Sequence, residues 1–445
     1  MVVIHSPDVL ARARLWAKCG DWIAERACGG PFGYPILGNG GPSRGGSQRG
    51  LVERTVRAVQ RVVVVGGGLA GLQTVAALRT QGYGGALALV GAESHAPYDR
   101  PPLTKSVLMG ESDDSTLDAD WAAWNVELHL GRTATGLRPG TLETDAGDLA
   151  WDQLVIATGS VPVRFPGTEP AVTLRTREDS LRLRAMLRPG TRLVIVGAGW
   201  IGAEVATAAV RAGAHVTVVE ALHAPLANAL PAVCGARMLA WWAPVDLLLG
   251  EAVRAVEPDA VHLSGGSTVP ADVVLVGVGA RPATAWLHGS AVPLTDRGAV
   301  AVDPGLRSAM RGVWAVGDAA AWTSARYDRR MHVEHWDNAL HSPTVAATTL
   351  LGGDAVWDPV PYFWSEQWGH MVQYAGHHEG VDRVVWREEG NTWAAFWLTG
   401  DRMTAALTAD RPRDLVQSRR LMERDTPVDA DLLTDPGVAV KATAV

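Results

Sequence analysis

The stretch that decides the fold is residues 61–71, Arg-Val-Val-Val-Val-Gly-Gly-Gly-Leu-Ala-Gly. Four consecutive valines predict a buried strand, and Gly66, Gly68 and Gly71 predict a tight turn that leads into a helix. In this pattern the first glycine permits the turn, the second lets the backbone approach a pyrophosphate, and the third lets the helix pack against the strand. Free amides at the helix N-terminus then face the phosphates. The stretch therefore predicts a βαβ unit that binds a dinucleotide.

The same unit returns at residues 193–202, Leu-Val-Ile-Val-Gly-Ala-Gly-Trp-Ile-Gly. Here Gly197, Gly199 and Gly202 occupy the three equivalent positions. One glycine-rich turn is weak evidence, because ordinary turns are also rich in glycine. Two complete copies, each with a strand before and a helix after, predict parallel sheets and two dinucleotide sites.

A carboxylate stands near the end of the second strand of each unit. Glu93 does so in the first unit and Glu220 in the second, where each is placed to bind ribose hydroxyls. No arginine occurs between residues 221 and 236 to receive a 2′-phosphate, and His223 is the one nearby exception. We therefore expect the second unit to prefer NADH to NADPH.

Composition narrows the class of protein. The net charge of −7 argues against nucleic acid as the partner. The three cysteines, Cys19, Cys28 and Cys234, form no C-x-x-C pair and no metal-ligand spacing, so we expect no disulfide scaffold and no bound metal. No apolar run approaches the roughly 18 residues that a membrane span needs. We expect a cytoplasmic protein without a membrane span.

Two further motifs extend the pattern. Ala-Thr-Gly at residues 157–159 and Ala-Val-Gly-Asp at 315–318 each follow an apolar strand. Together with the two glycine turns they resemble the two-dinucleotide-binding flavoprotein disulfide reductases. In that superfamily the aspartate of Gly-Asp holds the flavin ribityl chain, and the resemblance gives this role to Asp318.

The resemblance becomes closer at four more motifs. They are Pro-Tyr-Asp-Arg-Pro-Pro-Leu-Thr-Lys at 97–105, Val-Glu-His-Trp-Asp-Asn-Ala at 333–339, Tyr-Phe-Trp-Ser-Glu-Gln at 362–367 and Asp-Arg-Pro-Arg-Asp at 410–414. This order resembles the FAD-dependent ferredoxin reductase family, which includes putidaredoxin reductase and the reductases of aromatic-ring dioxygenases. The match covers about residues 60–440, and it departs at Thr104, where serine is usual, and at Ala409.

The resemblance implies a role for each site residue. Lys105 would lie near the flavin and pair with Glu204, which would point at the nicotinamide, and Trp336 would cover the flavin on the side of the electron acceptor. The residues that would bind the cofactors FAD and NADH are Gly66, Gly68, Gly71, Glu93, Arg100, Pro101, Lys105, Thr158, Gly159, Asp318, Trp336, Gly197, Gly199, Gly202 and Glu220. Trp364 and Trp368 we assign to the core of the C-terminal domain.

The predicted fold class is α/β, with two interleaved Rossmann-like domains of the glutathione-reductase type and an α+β C-terminal domain. We expect an FAD-binding domain at 59–166 and 291–355, an NADH-binding domain at 167–290 and a C-terminal reductase domain at 356–445. Residues 1–58 are rich in glycine and proline, so we expect a disordered extension there. The alternative for its residues 9–28 is a targeting or docking helix.

The function that the resemblance implies is electron transfer from NADH through FAD to a ferredoxin-type iron–sulfur protein, which supplies a cytochrome P450 or a Rieske dioxygenase. Arg326, Arg329 and Arg330 form a basic run that we expect to dock this acidic partner. Three alternatives remain: an NADH oxidase, peroxidase or disulfide reductase, a redox protein like apoptosis-inducing factor, and a membrane-associated quinone reductase. The first needs a cysteine beside the flavin, and residues 94–110 contain none.

Overall fold

The first region of the protein is built on the strand that the four valines predict. The computed structural model describes residues 60–445, so the interpretation of residues 1–58 lies outside the described residues. The helices and strands of this region are β1 (Arg61–Val65), α1 (Leu69–Thr80), β2 (Ala86–Gly91), α2 (Trp121–Trp124), β3 (Val126–Leu130), β4 (Ala134–Arg138), β5 (Thr141–Thr144), β6 (Leu149–Ala150), β7 (Gln153–Ile156) and β8 (Ser160–Pro162).

The second region repeats the strand–turn–helix–strand unit, as predicted. The elements are α3 (Arg177–Met186), β9 (Arg192–Val196), α4 (Trp200–Arg211), β10 (His215–Glu220), α5 (Ala232–Met238), β11 (Asp246–Leu249), β12 (Val253–Glu257), β13 (Ala260–Leu263), β14 (Thr268–Pro270), β15 (Val273–Val276) and β16 (Ala280–Pro282). Four of these strands form a parallel sheet in the order β11-β10-β9-β15.

The chain then returns to the first sheet. The elements of this part are β17 (Val300–Val302), β18 (Val313–Ala315), β19 (Ala320–Ser324), β20 (Arg329–His332) and α6 (Trp336–Leu350). Strand β18 pairs in parallel with β7, which completes a five-stranded parallel sheet in the order β18-β7-β1-β2-β3. The second region is therefore inserted between strands of one sheet, which confirms the predicted α/β class with interleaved folds.

The last region is a five-stranded antiparallel sheet with two helices. Its elements are β21 (Tyr362–Gln367), β22 (His370–Gly376), β23 (Arg383–Glu389), β24 (Thr392–Thr399), β25 (Arg402–Ala409), α7 (Pro412–Glu423) and α8 (Ala430–Thr434). The strand order is β21-β22-β25-β24-β23. Alternating and aromatic-rich segments at 362–375, 382–388 and 392–398 predict an antiparallel sheet, and strands β21 to β24 lie over them. The pattern does not predict β25, whose small residues fit a position with packed side chains on both faces. No helix within residues 60–445 is long and apolar enough to cross a membrane.

Strand β21 brings this last sheet against both other regions. Phe363 packs on Trp200 at the start of α4, with the ring centroids 4.6 Å apart. Trp364 packs on Trp336 at the start of α6, with the centroids 5.7 Å apart. Trp368 contacts Trp242 of the second region, at 5.2 Å. Trp364 and Trp368 therefore do not belong to the C-terminal core, because each lies where the last sheet meets another region.

Short 3₁₀ helices connect several of these elements. They are Pro101–Thr104, Leu239–Trp242, Ala285–Leu287, Gly317–Ala319 and Val440–Thr443. Two of them carry predicted site residues, since Pro101 begins the first and Asp318 lies within the fourth.

Candidate functional site

The first glycine turn leaves space for a phosphate beside the helix that follows it. Gly66 has a φ of +126°, and a Cβ there would lie 2.1 Å from the carbonyl oxygen of Ala157. A Cβ on Gly71 would lie 1.9 Å from the carbonyl oxygen of Gly66, so helix and strand touch at this point. A Cβ on Gly68, by contrast, would meet nothing within 4 Å. Since α1 begins at the next residue without a side-chain cap, its first amides are open to an anion.

The second glycine turn has the same construction. Gly197 has a φ of +103°, and its Cβ would lie 2.6 Å from the carbonyl oxygen of Gly277. A Cβ on Gly202 would lie 2.2 Å from the carbonyl oxygen of Gly197. Helix α4 begins directly after Gly199 and also lacks a side-chain cap. Both turns therefore fit the pyrophosphate of a dinucleotide.

The two predicted ribose carboxylates differ in their surroundings. Glu220 ends β10 and is buried, and its carboxylate accepts hydrogen bonds from the amides of Ala198, at 2.7 Å, and Leu222, at 2.9 Å. These bonds fix the carboxylate beside the second glycine turn. Glu93 does not end its strand, since β2 ends at Gly91 and Glu93 lies two residues beyond it.

Residues 97–105 form a tightly bonded loop around Glu93. The guanidinium of Arg100 donates to Glu93 at 2.7 Å, to the carbonyl oxygen of Arg175 at 2.7 Å and to the hydroxyl of Tyr98 at 3.1 Å. The Tyr98 hydroxyl donates to Glu93 in turn. Burial raises the pKa of Tyr98 to about 12, so it keeps its proton at neutral pH. Pro101 then starts the 3₁₀ turn that ends beside Lys105.

Lys105 and Glu204 form an ion pair, as the resemblance implies. Lys105 Nζ lies 2.7 Å from Glu204 Oε2, and the glutamate side chain is only 6% exposed. The hydroxyl of Thr104 donates to the same oxygen at 2.5 Å, and the hydroxyl of Ser365 donates to Oε1 at 2.7 Å. One buried carboxylate is thus held by donors from the first region and from β21 of the last region. Thr104 and Ser365 were not predicted as site residues, although both lie within motifs that the sequence offered.

Asp318 lies beside the Ala-Thr-Gly segment. Its carboxylate accepts a hydrogen bond from Ser160 at 2.9 Å and lies 3.4 Å from the Arg175 guanidinium. The hydroxyl oxygen of Thr158 is buried and has no hydrogen-bond partner among residues 60–445, and a Cβ on Gly159 would lie 3.2 Å from Arg175. A buried hydroxyl without a partner fits a polar ligand beside this segment. Arg175 was not predicted, because a lone arginine in a polar segment gives no signal in the sequence.

Trp336 is fixed at the first residue of α6. Its indole Nε1 donates to Asp99 Oδ1 at 2.7 Å, and its ring meets the edge of Trp364. Burial raises the pKa of Asp99 above its ordinary value, while the bond from Trp336 lowers it. The preceding residue, His335, packs against Phe363 with the ring centroids 4.7 Å apart and the rings tilted by 44°. Burial lowers the pKa of His335 to about 4, so the imidazole is neutral at neutral pH.

The predicted basic run is partly occupied by contacts within the protein. Arg326 donates to the carbonyl oxygen of Met422 at 2.6 Å, and Arg329 pairs with Glu379 at 2.7 Å. Arg330 is exposed, and no ion pair of Arg330 is found in the part of the chain that the structure describes. Two of the three arginines in the run therefore already bond within the protein, which leaves less positive charge for a partner than the sequence indicates.

The fold and this site define an oxidoreductase with two dinucleotide-binding turns. Helix α4 begins at the second turn and carries Glu204, which pairs with Lys105 of the first region. A buried cation–carboxylate pair at such a junction is able to stabilise charge that develops during electron transfer. The open space at Gly68 and the unpartnered Thr158 hydroxyl fit a bound flavin dinucleotide, and the second turn fits a nicotinamide dinucleotide.

Comparison with known proteins identifies the family. The sequence model of the family described as pyridine nucleotide-disulphide oxidoreductase matches residues 60–342, and that of the family described as reductase C-terminal matches residues 362–444. The ferredoxin reductase component of chlorobenzene dioxygenase from Cupriavidus sp. (strain PS12) is 36% identical over 392 residues, which cover 84% of this chain and 95% of the relative.

Solved structures agree with this similarity. The crystal structure of Fdr9 matches with a TM-score of 0.83 and 46% identity, covering 86% of this chain and 99% of the other. The covalent complex of putidaredoxin reductase with putidaredoxin matches with a TM-score of 0.82 and 31% identity, covering 86% and 98%. The chain therefore belongs to the pyridine nucleotide-disulphide oxidoreductase family and, within it, to the ferredoxin reductases, which implies a flavin and NAD(H) as cofactors.

The thiol chemistry in the family name has no counterpart in the described part of this chain. Cys234 is the one free cysteine among residues 60–445, and it is buried in the core between α5 and the last sheet. Burial raises the pKa of its thiol to about 12, so a thiolate does not form at neutral pH. This disfavours the peroxidase and disulfide reductase alternatives.

Proposed function

We propose that this protein is an NADH-dependent FAD enzyme that passes electrons to a ferredoxin-type iron–sulfur protein. The observation that carries the proposal is the buried Glu204 carboxylate of the second region, which is held by Lys105 and Thr104 of the first region and by Ser365 of the last. The names of the relatives support it, since they are ferredoxin reductase components of dioxygenase systems and putidaredoxin reductase. An oxygenase, either a cytochrome P450 or a Rieske dioxygenase, is the proposed final user of the electrons.

The residues of the chain orient the cofactors and control their charge. A bound flavin supplies the chemistry that accepts a hydride from NADH and releases its two electrons one at a time. Lys105 places a fixed positive charge at the site, and Glu204 holds the ammonium group in position. Arg175, beside Asp318, supplies positive charge for the phosphates of FAD. The indole of Trp336 excludes water on the side from which electrons leave.

NADH rather than NADPH is the proposed donor because of Glu220. Its carboxylate is buried, fixed by two backbone amides and close to the second glycine turn. A 2′-phosphate at that point would meet a fixed negative charge, whereas ribose hydroxyls would donate to it. Replacing this glutamate, as in Glu220→Gln, should narrow the preference for NADH.

The domain boundaries and the location in the cell are also part of the proposal. We retain an FAD domain at 59–166 and 291–355, an NADH domain at 167–290 and a C-terminal domain at 356–445. The supporting observation is the return of β18 to the first sheet after the second region. A cytoplasmic location, compatible with the sparse cysteines, remains a prediction.

The test uses the purified full-length protein. We expect chromatography of the released cofactor to show FAD, and stopped-flow mixing to show faster flavin reduction by NADH than by NADPH. With catalytic amounts of the enzyme, NADH should then reduce ferredoxins tested from a panel. Release of FMN alone, or equal rates with NADPH, would contradict the cofactor assignment.

The same experiment separates the alternatives. Rapid reduction of the bound flavin by NADH, without reduction of any ferredoxin, would favour a redox protein like apoptosis-inducing factor. NADH-dependent reduction of a quinone in the absence of any ferredoxin activity would favour the quinone reductase.

A further inference from the structure

The indole of Trp336 depends on a residue from a distant part of the chain. Its Nε1 donates to Asp99 Oδ1 at 2.7 Å, which is the short distance expected of a hydrogen bond to a carboxylate. Asp99 belongs to the loop that continues through Arg100 and Pro101 to Lys105. The bond therefore links the loop that carries Lys105 to the tryptophan that begins α6.

The Trp336 side chain makes one hydrogen bond among residues 60–445, the bond to Asp99. Trp336 is the first residue of α6, so no earlier helical turn packs against it, and its ring is only partly buried. Trp364 packs against the ring at an interplanar angle of 78°. A tryptophan side chain in this position has several staggered rotamers to choose from. The bond to Asp99 is the polar contact that selects one of them.

We propose that Asp99 is a positioning residue for electron transfer to the iron–sulfur partner, because it holds the Trp336 indole in place over the flavin site. This inference rests on the proposed function. Electrons reach the partner fastest when the covering ring stays in one orientation and water stays out. Loss of the acceptor at residue 99 would let the indole turn towards solvent and would slow the transfer.

The test compares two substitutions at one position. Leucine is close to aspartate in size but has no acceptor, whereas asparagine keeps a carbonyl oxygen that accepts the indole N–H. We expect Asp99→Leu to lower the ratio of the ferredoxin-reduction rate to the NADH half-reaction rate by about tenfold, and Asp99→Asn to restore it to within about threefold of wild type. In a Trp336→Phe background, Asp99→Leu should have no further effect on the ratio.

A second measurement does not need an electron acceptor such as a ferredoxin. The indole N–H resonance of Trp336 in ¹⁵N-tryptophan-labelled holoprotein is the one that disappears in Trp336→Phe. We expect it to shift strongly in Asp99→Leu and weakly in Asp99→Asn. An unchanged resonance in Asp99→Leu, or additive effects of the two substitutions on the rate ratio, would overturn the inference. If wild-type protein reduces no ferredoxin, the proposed function fails, and the resonance still tests the role of Asp99.

Discussion

Replacing Ser365 by alanine tests whether the last region of the protein takes part in the chemistry of the other two. Ser365 is fully buried, and its hydroxyl donates to Glu204 Oε1 at 2.7 Å. The other two donors to this carboxylate, Thr104 and Lys105, bind Oε2. Ser365→Ala therefore leaves Oε1 of a buried carboxylate without its side-chain donor, while the ion pair remains.

The expected cost follows from the charge of the acceptor. A hydrogen bond to a charged group contributes about 1.5–3 kcal/mol, whereas one between neutral groups contributes about 1 kcal/mol. Ser418 offers a matched control, because it is also fully buried in the last region and its hydroxyl donates at 2.8 Å to the carbonyl oxygen of Asp414. We expect Ser365→Ala to cost about 2 kcal/mol and Ser418→Ala about 1 kcal/mol.

Kinetics distinguish the two serines more sharply than stability does. With Oε1 released, Glu204 and Lys105 lose their fixed orientation, and small displacements at a reacting site reduce rates severely. We expect Ser365→Ala to slow reduction of the bound flavin by NADH about tenfold, and Ser418→Ala to leave it unchanged. Urea titration at saturating FAD and stopped-flow absorbance provide the two measurements. A wild-type rate for Ser365→Ala would refute the reasoning.

Three further substitutions address other parts of the molecule. Gly68→Ala should preserve the fold, because the new Cβ meets no protein atom, but should lose FAD, because the Cβ would fill the space proposed for a phosphate. Gly71→Ala should lower the free energy of unfolding by about 1–3 kcal/mol or more, because its Cβ would lie 1.9 Å from the carbonyl oxygen of Gly66. Cofactor content and urea titration check both substitutions, and equal FAD loss at equal stability would contradict the reasoning. Burial lowers the pKa of His335 from 6.5 to about 4, so between these pH values the unfolded chain binds more protons than the folded protein. The free energy of unfolding should therefore fall by up to about 3 kcal/mol as the pH drops from 6.5 to 4. His335→Gln should flatten this pH dependence in urea titrations. Arg330→Glu should slow ferredoxin reduction at low salt more than Arg329→Glu, because Arg329 already pairs with Glu379, and the difference should vanish at high salt; equal rates for Arg330→Glu and wild type at low salt would exclude docking there.

Local patterns in the sequence were sufficient to predict most of the fold. Consecutive valines and the spaced glycines predicted β1, α1 and their counterparts β9 and α4, because backbone conformation and burial at these positions depend on near neighbours. Strand β25 was not predicted, since its alanines alternate too weakly in polarity to mark a strand. Its place at the centre of the sheet is set by β22 and β24, which pair with it on either side.

The sequence predicted those site residues that lie in recognisable motifs with an assigned role. The Lys105–Glu204 pair is confirmed by a contact of 2.7 Å, and it rested on a family resemblance. Arg175 has no local signature in the sequence, and Ser365 lies within a motif that does not reveal its partner, because each residue bonds to a carboxylate more than a hundred residues away. The sequence also overstates the free charge of the basic run, since Glu379, which pairs with Arg329, lies 50 residues further along the chain.

The return of β18 to the first sheet has a consequence for synthesis of the chain. Leu154 to Ile156 of β7 pair with Val313 to Ala315, so one edge of the first sheet stays open until the ribosome has made everything between them. At about 5–20 residues per second this delay is on the order of ten seconds. During that time the unpaired backbone groups of Leu154 to Ile156, three apolar residues, are exposed to other nascent chains. We therefore expect the yield of active protein in cells to depend on chaperones that bind this edge before Val313 arrives.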